Sequence, residues 1–200
     1  MKGILKLMVY VFAMLLVISC KGEKKEEDND TTVKEEQTVS AKDILGNPEY
    51  LAISYGGYRE KQREVQPSIL ELKEDMKILS AMGVKVLRTY NVHFAHAENV
   101  LKAITELKKE DIDFEMYVML GIWIDCENAF DIGNGDPNHN SESERNPVEV
   151  NTAVELAKQY PDVVKILAVG NEAMVRWATS YFVEPWIILK WVNHLQDLKK

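Results

Sequence analysis

The chain has 200 residues, 46% hydrophobic and 28% charged, with a net charge of −8. That length allows one or two domains. An acidic excess disfavours nucleic acid, whose binding rests on neutralising phosphates with Lys and Arg, and it suits a neutral substrate such as a sugar polymer.

The first nineteen residues read as an export signal. Lys2 and Lys6 precede an apolar run over 7–18, too short to span a bilayer comfortably. The run ends in Val17-Ile18-Ser19-Cys20, which resembles a lipobox, where a small residue precedes a cysteine whose thiol takes diacylglycerol before cleavage. Residues 1–19 are thus expected to be removed, and Cys20 to anchor the mature chain in a bacterial membrane, in the outer membrane or at the cell surface. Losing Lys2 and Lys6 leaves 22 basic against 32 acidic side chains. Cys126 is then the remaining thiol, with no partner for an intrachain disulfide.

Residues 20–46 begin with alternating Lys, Glu and Asp and carry no apolar periodicity, so nothing offsets the entropy of ordering them. They read as a tether. The charged run after Cys20 is either a surface-export signal or a solvated spacer.

From 47 to 200 strand and helix patterns alternate. An apolar run at 51–55 closes on Gly56-Gly57. Ser68 and Glu71 form a capping box, and Ile69, Leu72, Met76 and Leu79 follow helical spacing to Gly83. A second strand spans 84–90, followed by a helix with Val100, Leu101, Ile104 and Leu107 on one face. The third strand is expected over 114–120, ended by Gly121, with a long loop over 125–145. Asn146-Pro147 with Glu149 is the expected cap of the next helix, with proline at its first position and Val150, Ala153, Val154 and Ala157 inward. The fourth strand spans 163–169. The last helix starts near Pro185 with Ile188, Trp191, Val192, Leu195 and Leu198 on its apolar face.

Apolar strands separated by amphipathic helices imply a parallel sheet buried on both faces, either doubly wound or a barrel. No Gly-rich dinucleotide turn follows the first strand, which weighs against the doubly wound reading. In a barrel, chemistry collects at the C-terminal strand ends. Those ends carry Tyr55 and Tyr58, Arg88 with Tyr90, Trp123, and Asn171-Glu172. A glutamate directly after a buried strand is expected near apolar walls that favour its protonated form, the form that donates to a glycosidic oxygen. The alternative is that Asn171 or Glu172 caps the following helix.

Four motifs in order, Ile53-Ser54-Tyr55-Gly56, Val86-Leu87-Arg88-Thr89-Tyr90, Met119-Leu120-Gly121 and Ala168-Val169-Gly170-Asn171-Glu172, resemble family 17 of the glycoside hydrolases over about 50 to 175. That family comprises retaining β-1,3-glucanases and related glucanosyltransferases. The resemblance implies a (β/α)8 TIM barrel, of which four β/α units are read here, with β-glucan as partner and no cofactor. It makes Glu172 the acid/base, Asn171 the sugar-orienting amide, Arg88 an electrostatic support for the nucleophile, and Tyr55 a cleft residue. Asn91 stands where the family usually has aspartate, which puts the local subsite contacts in question.

Tyr58, Tyr90, Trp123, Trp177 and Tyr181 are candidates to stack on sugar rings, or to pack against loops. His93 and His96 lack a third metal ligand at a fitting spacing. Asp136, Asn138 and Asn140 resemble the start of a calcium loop, but Ser141 replaces its glycine and Pro147 its bidentate glutamate. No metal is expected. A retaining glycosidase needs a second carboxylate, and Glu184 lies only one loop beyond Glu172. Because four units fall short of the usual barrel length of about 250 residues, the chain is expected to be a fragment, inactive alone. The other reading is a non-catalytic glucan-binding lipoprotein.

Overall fold

The computed structural model describes residues 38–130 and 135–199; the signal segment, Cys20 and most of the tether lie outside the described residues. A single turn, α1 (Ala41–Ile44), precedes β1 (Leu51–Ser54). Then follow α2 (Ile69–Ala81), β2 (Val84–Arg88), α3 (Ala95–Glu110) and β3 (Tyr117–Ile122). Next come β4 (Cys126–Glu127), β5 (Asn138–Glu142), α4 (Arg145–Gln159), β6 (Val164–Val169) and α5 (Pro185–Leu198). Four strands form one parallel sheet in the order β1-β2-β3-β6. The alternation of parallel strands with helices is therefore an α/β architecture, open at β1 and β6 among the described residues.

Helix α2 begins as its sequence dictates. The Ser68 hydroxyl accepts the Glu71 amide, while the Glu71 carboxylate accepts the Ser68 amide at 2.8 Å. Its Leu72 and Met76 are fully buried, as are Val100, Leu101 and Ile104 of α3. These helices pack with Leu87, Val118, Leu120 and Ile122 in one continuous core. Each such Leu or Ile contributes about 1.5–3 kcal/mol relative to exposure. On the other face of the sheet Val86, Tyr117, Met119 and Ile166 are covered by Ile44 of α1 and by Val39 and Tyr50.

Several expected boundaries shift. Strand β3 starts at Tyr117 and runs through Gly121 rather than stopping there. Gly121 is needed inside the strand because the chain at Thr89 crosses it; a Cβ would meet the Thr89 carbonyl oxygen at 2.3 Å. The expected loop over 125–145 contains the antiparallel pair β4–β5. Helix α4 starts at Arg145, so Asn146 is not its cap. Asn146 is instead buried, its side chain accepting the Asp125 amide at 3.1 Å and donating to the Asp125 carbonyl at 2.9 Å. Burial on both faces fails at β1, whose four residues are all exposed because it pairs on one side only. Leu198 is also exposed; α5 buries Ile187 and Trp191, with Ile188 and Leu195 partly covered.

Candidate active site

Parallel strands bring all four C-terminal ends to one edge of the sheet. Arg88 ends β2 and Asn171 stands two residues past β6, with β3 between them. The Arg88 guanidinium nevertheless reaches Asn171, donating to Oδ1 at 3.1 Å, and it lies 5.5 Å from the centre of the Tyr90 ring. The turn carrying Asn171 is tight. Gly170 (φ +78) donates its amide to the Ile122 carbonyl at 2.8 Å, and Glu172 adopts φ +51. A non-glycine residue in the left-handed region costs about 1–2 kcal/mol, and such residues cluster at functional sites.

Glu172 is exposed, which corrects the expectation of apolar walls around it. The left-handed turn lifts it off the strand. Its Oε2 accepts the Tyr181 hydroxyl at 3.2 Å. Partial burial, then the bond to Glu172, raises the ionisation range of that phenol, so it remains a donor. Tyr181 belongs to an aromatic trio: its ring centre is 5.2 Å from both Trp123 and Phe130. Backbone bonds from Cys126 to Tyr181 and from Phe130 to Ser180, each 3.3 Å, fasten the β3 loop to the segment after Glu172. Glu184 is held by Arg176 at 3.2 Å.

Trp123 is held from two sides. Its backbone amide donates to Glu149 Oε1 at 3.1 Å, and its indole to Asp125 Oδ2 at 3.2 Å. Asp125 is 2% exposed and also accepts Arg145 at 2.7 Å. Burial raises its protonation range, against the opposing pull of Arg145. Buried Glu149, on α4, additionally accepts the Val92 amide at 2.7 Å and contacts His93 Nδ1 at 3.1 Å. One carboxylate thus ties together the loops after β2 and β3.

The remaining candidates take other places. Tyr55, expected in the cleft, is buried, and its hydroxyl donates to Asp75 Oδ2 at 2.6 Å. Burial alone would raise the Asp75 carboxyl, but Arg59 and Tyr55 together hold it below the ordinary range. Tyr58 stacks on His96 at 5.1 Å, and Trp177 is 72% exposed, outside the trio. Burial pushes His96 down to about 4, so it is neutral between the two tyrosines. Asn138 lies in β5, bonded to Glu127 at 2.8 Å. Cys126 is buried, which pushes its thiol up. Asp125 and Phe130 carry no expected role, and Glu149, expected as part of the Asn146 cap, bonds Val92, Trp123 and His93 instead. Their roles arise from long-range contacts that no local spacing encodes.

The fold and this edge define an α/β chain with a carboxylate, an amide, a guanidinium and aromatic rings gathered at the ends of parallel strands. No family model matches the chain, and no curated protein matches it. Among solved structures it is similar to an endo-laminarinase from Formosa Hel1_33_131, with 66% identity and a TM-score of 0.78. The likeness covers 80% of this chain and 40% of that one, so the matched stretch spans less than half of the enzyme it resembles.

Proposed function

We propose that these residues form the acid/base side of a retaining β-1,3-glucan hydrolase of the family 17 type, built on the first four units of a (β/α)8 barrel. The carrying observation is the Arg88–Asn171 contact beside Glu172 at the strand ends, in a chain 66% identical to an endo-laminarinase. In this reading Glu172 gives its proton to the glycosidic oxygen as the C1–O bond breaks. It then takes a proton from the water that hydrolyses the glycosyl intermediate. Tyr181, donating to Oε2, orients the carboxyl and stabilises it between the two steps.

Asn171 supplies its amide to the sugar 2-hydroxyl, an interaction that strengthens as the ring gains oxocarbenium character. Arg88 fixes that amide by occupying its carbonyl oxygen, and adds positive potential where the nucleophilic carboxylate of a retaining pair develops its bond. Trp123 and Tyr90 offer aromatic faces to pyranose rings. Hydrolysis and glucanosyl transfer share these steps and differ in the acceptor that attacks. No metal or cofactor is called on. Anchoring through diacylglycerol on Cys20 would hold the site at a bacterial membrane, where polymeric glucan is met outside the cytoplasm.

A chimera tests the assignment. Residues 38–199 replace the matching stretch of the endo-laminarinase, and laminarin turnover is compared with that of the same chimera carrying Glu172→Gln. Loss of about 10²–10⁴-fold is expected, the usual contribution of general acid/base catalysis. A loss below about tenfold would contradict it.

A further inference from the structure

Beside the aromatic trio a pocket of 510 Å³ opens between the loops after β2 and β3 and the first turn of α4. Trp123 belongs to both, with one ring neighbour in Tyr181, which holds Glu172, and its side chain also on the pocket wall. Phe130 completes the connection. It sits at φ +61 at the end of a turn containing Asn128 at φ +58, and the residue is 52% exposed. Asparagine tolerates the left-handed region, but a bulky phenylalanine held there to display an apolar ring is costly unless that ring has a use. Ala129 between them is buried and accepts Arg145 at 3.0 Å, which fixes the turn.

We infer that this pocket is a subsite for a neutral pyranose of the glucan, reached from Glu172 across Trp123, with Phe130 as its outer stacking face. The inference rests on the reading of Glu172 given above and adds where the polymer runs. The volume falls within the ordinary range for small-molecule sites, about 300–1,000 Å³. Four of its six ionisable side chains are paired, Asp125 with Arg145 at 2.7 Å and His93 with Glu149 at 3.1 Å, and Arg63 and Glu144 add one charge of each sign. A charged ligand would have to break those pairs, whereas a sugar needs apolar faces and neutral hydrogen-bonding groups. Asn91, in the wall, meets that need; aspartate there would add another anion beside Asp125, Glu144 and Glu149.

Binding of laminarihexaose and cellohexaose to the whole chain, followed by calorimetry, tests the subsite. Phe130→Ala removes an exposed ring, and Val148→Trp, at a position 66% exposed on α4, fills the pocket without touching Glu172. Laminarihexaose should bind the unaltered chain. It should bind Phe130→Ala about five- to tenfold more weakly, the worth of one aromatic face, and Val148→Trp at least tenfold more weakly. Unchanged affinity in both variants, or no binding of either oligosaccharide by the unaltered chain, would overturn the subsite. Equal affinity for the two oligosaccharides, lost in both variants, would support the pocket and remove the β-1,3-glucan reading.

Discussion

The guanidinium of Arg88 donates to Oδ1 of Asn171 at 3.1 Å, joining two residues 83 positions apart across the intervening strand β3. The contact fixes which end of the Asn171 amide is available. With its oxygen occupied, its two N–H donors are left to face a ligand, which is what a sugar hydroxyl requires.

Arg88→Lys should therefore impair catalysis more than folding. Lysine keeps the charge but loses the rigid planar guanidinium whose Nη2 holds the amide. A charge-assisted hydrogen bond is worth about 1.5–3 kcal/mol, so kcat/KM of the chimera should fall roughly 10- to 100-fold while the urea midpoint changes little. Full activity with lysine would show that Asn171 does not depend on Arg88 for its orientation.

Glu149 should prove a structural clamp. Replacing it with alanine strands the Val92 and Trp123 amides, both of which donate to the same Oε1. Leaving buried donors unpaired costs about 1–3 kcal/mol each. Glu149→Ala should lower the unfolding free energy by about 2–5 kcal/mol in urea. Glu149→Gln retains the accepting oxygen and should cost markedly less. Equal effects of the two would deny the clamp.

His96 predicts an acid-sensitive fold. Burial depresses its folded value from 6.5 to about 4. Between those limits the unfolded chain binds a proton that the folded chain does not, so stability falls as pH drops from 6.5 towards 4, levels off below that, and is unaffected above 6.5. The difference amounts to about 3 kcal/mol. His96→Phe removes it, so the loss of stability between pH 7 and pH 4.5 should be smaller in that variant than in the parent. Parallel pH profiles would contradict the buried neutral imidazole.

Much of this arrangement was legible in the sequence. The Ser68–Glu71 capping box, the apolar spacing of Val100, Leu101 and Ile104, and the placing of Arg88 and Asn171 near C-terminal strand ends all lie in short-range patterns, although β2 stops at Arg88 rather than running to Tyr90. The parallel sheet follows from those patterns because each strand is separated from the next by a helix. Gly121 misled because glycine usually ends a strand, whereas here the crossing chain at Thr89 leaves no room for a side chain. Asn146 misled because Asn-Pro reads as a helix start, although its amide is engaged by the Asp125 backbone. Tyr55 lies at the expected strand end but turns inward to Asp75. Side-chain direction at a strand end depends on partners far along the chain, and sequence spacing does not specify them.

Azide distinguishes directly whether Glu172 is the proposed acid/base, a helix-turn residue or a nucleophile. In the chimera carrying Glu172→Gln, an aryl β-laminaribioside with an activated leaving group still forms the glycosyl intermediate, because its departure needs no proton. Water then attacks slowly without a base, while azide needs none. Added azide should restore turnover and yield the β-configured glycosyl azide, identified by its anomeric proton coupling. Formation of the α-azide, or turnover that is unimpaired without azide, would contradict the assignment of Glu172.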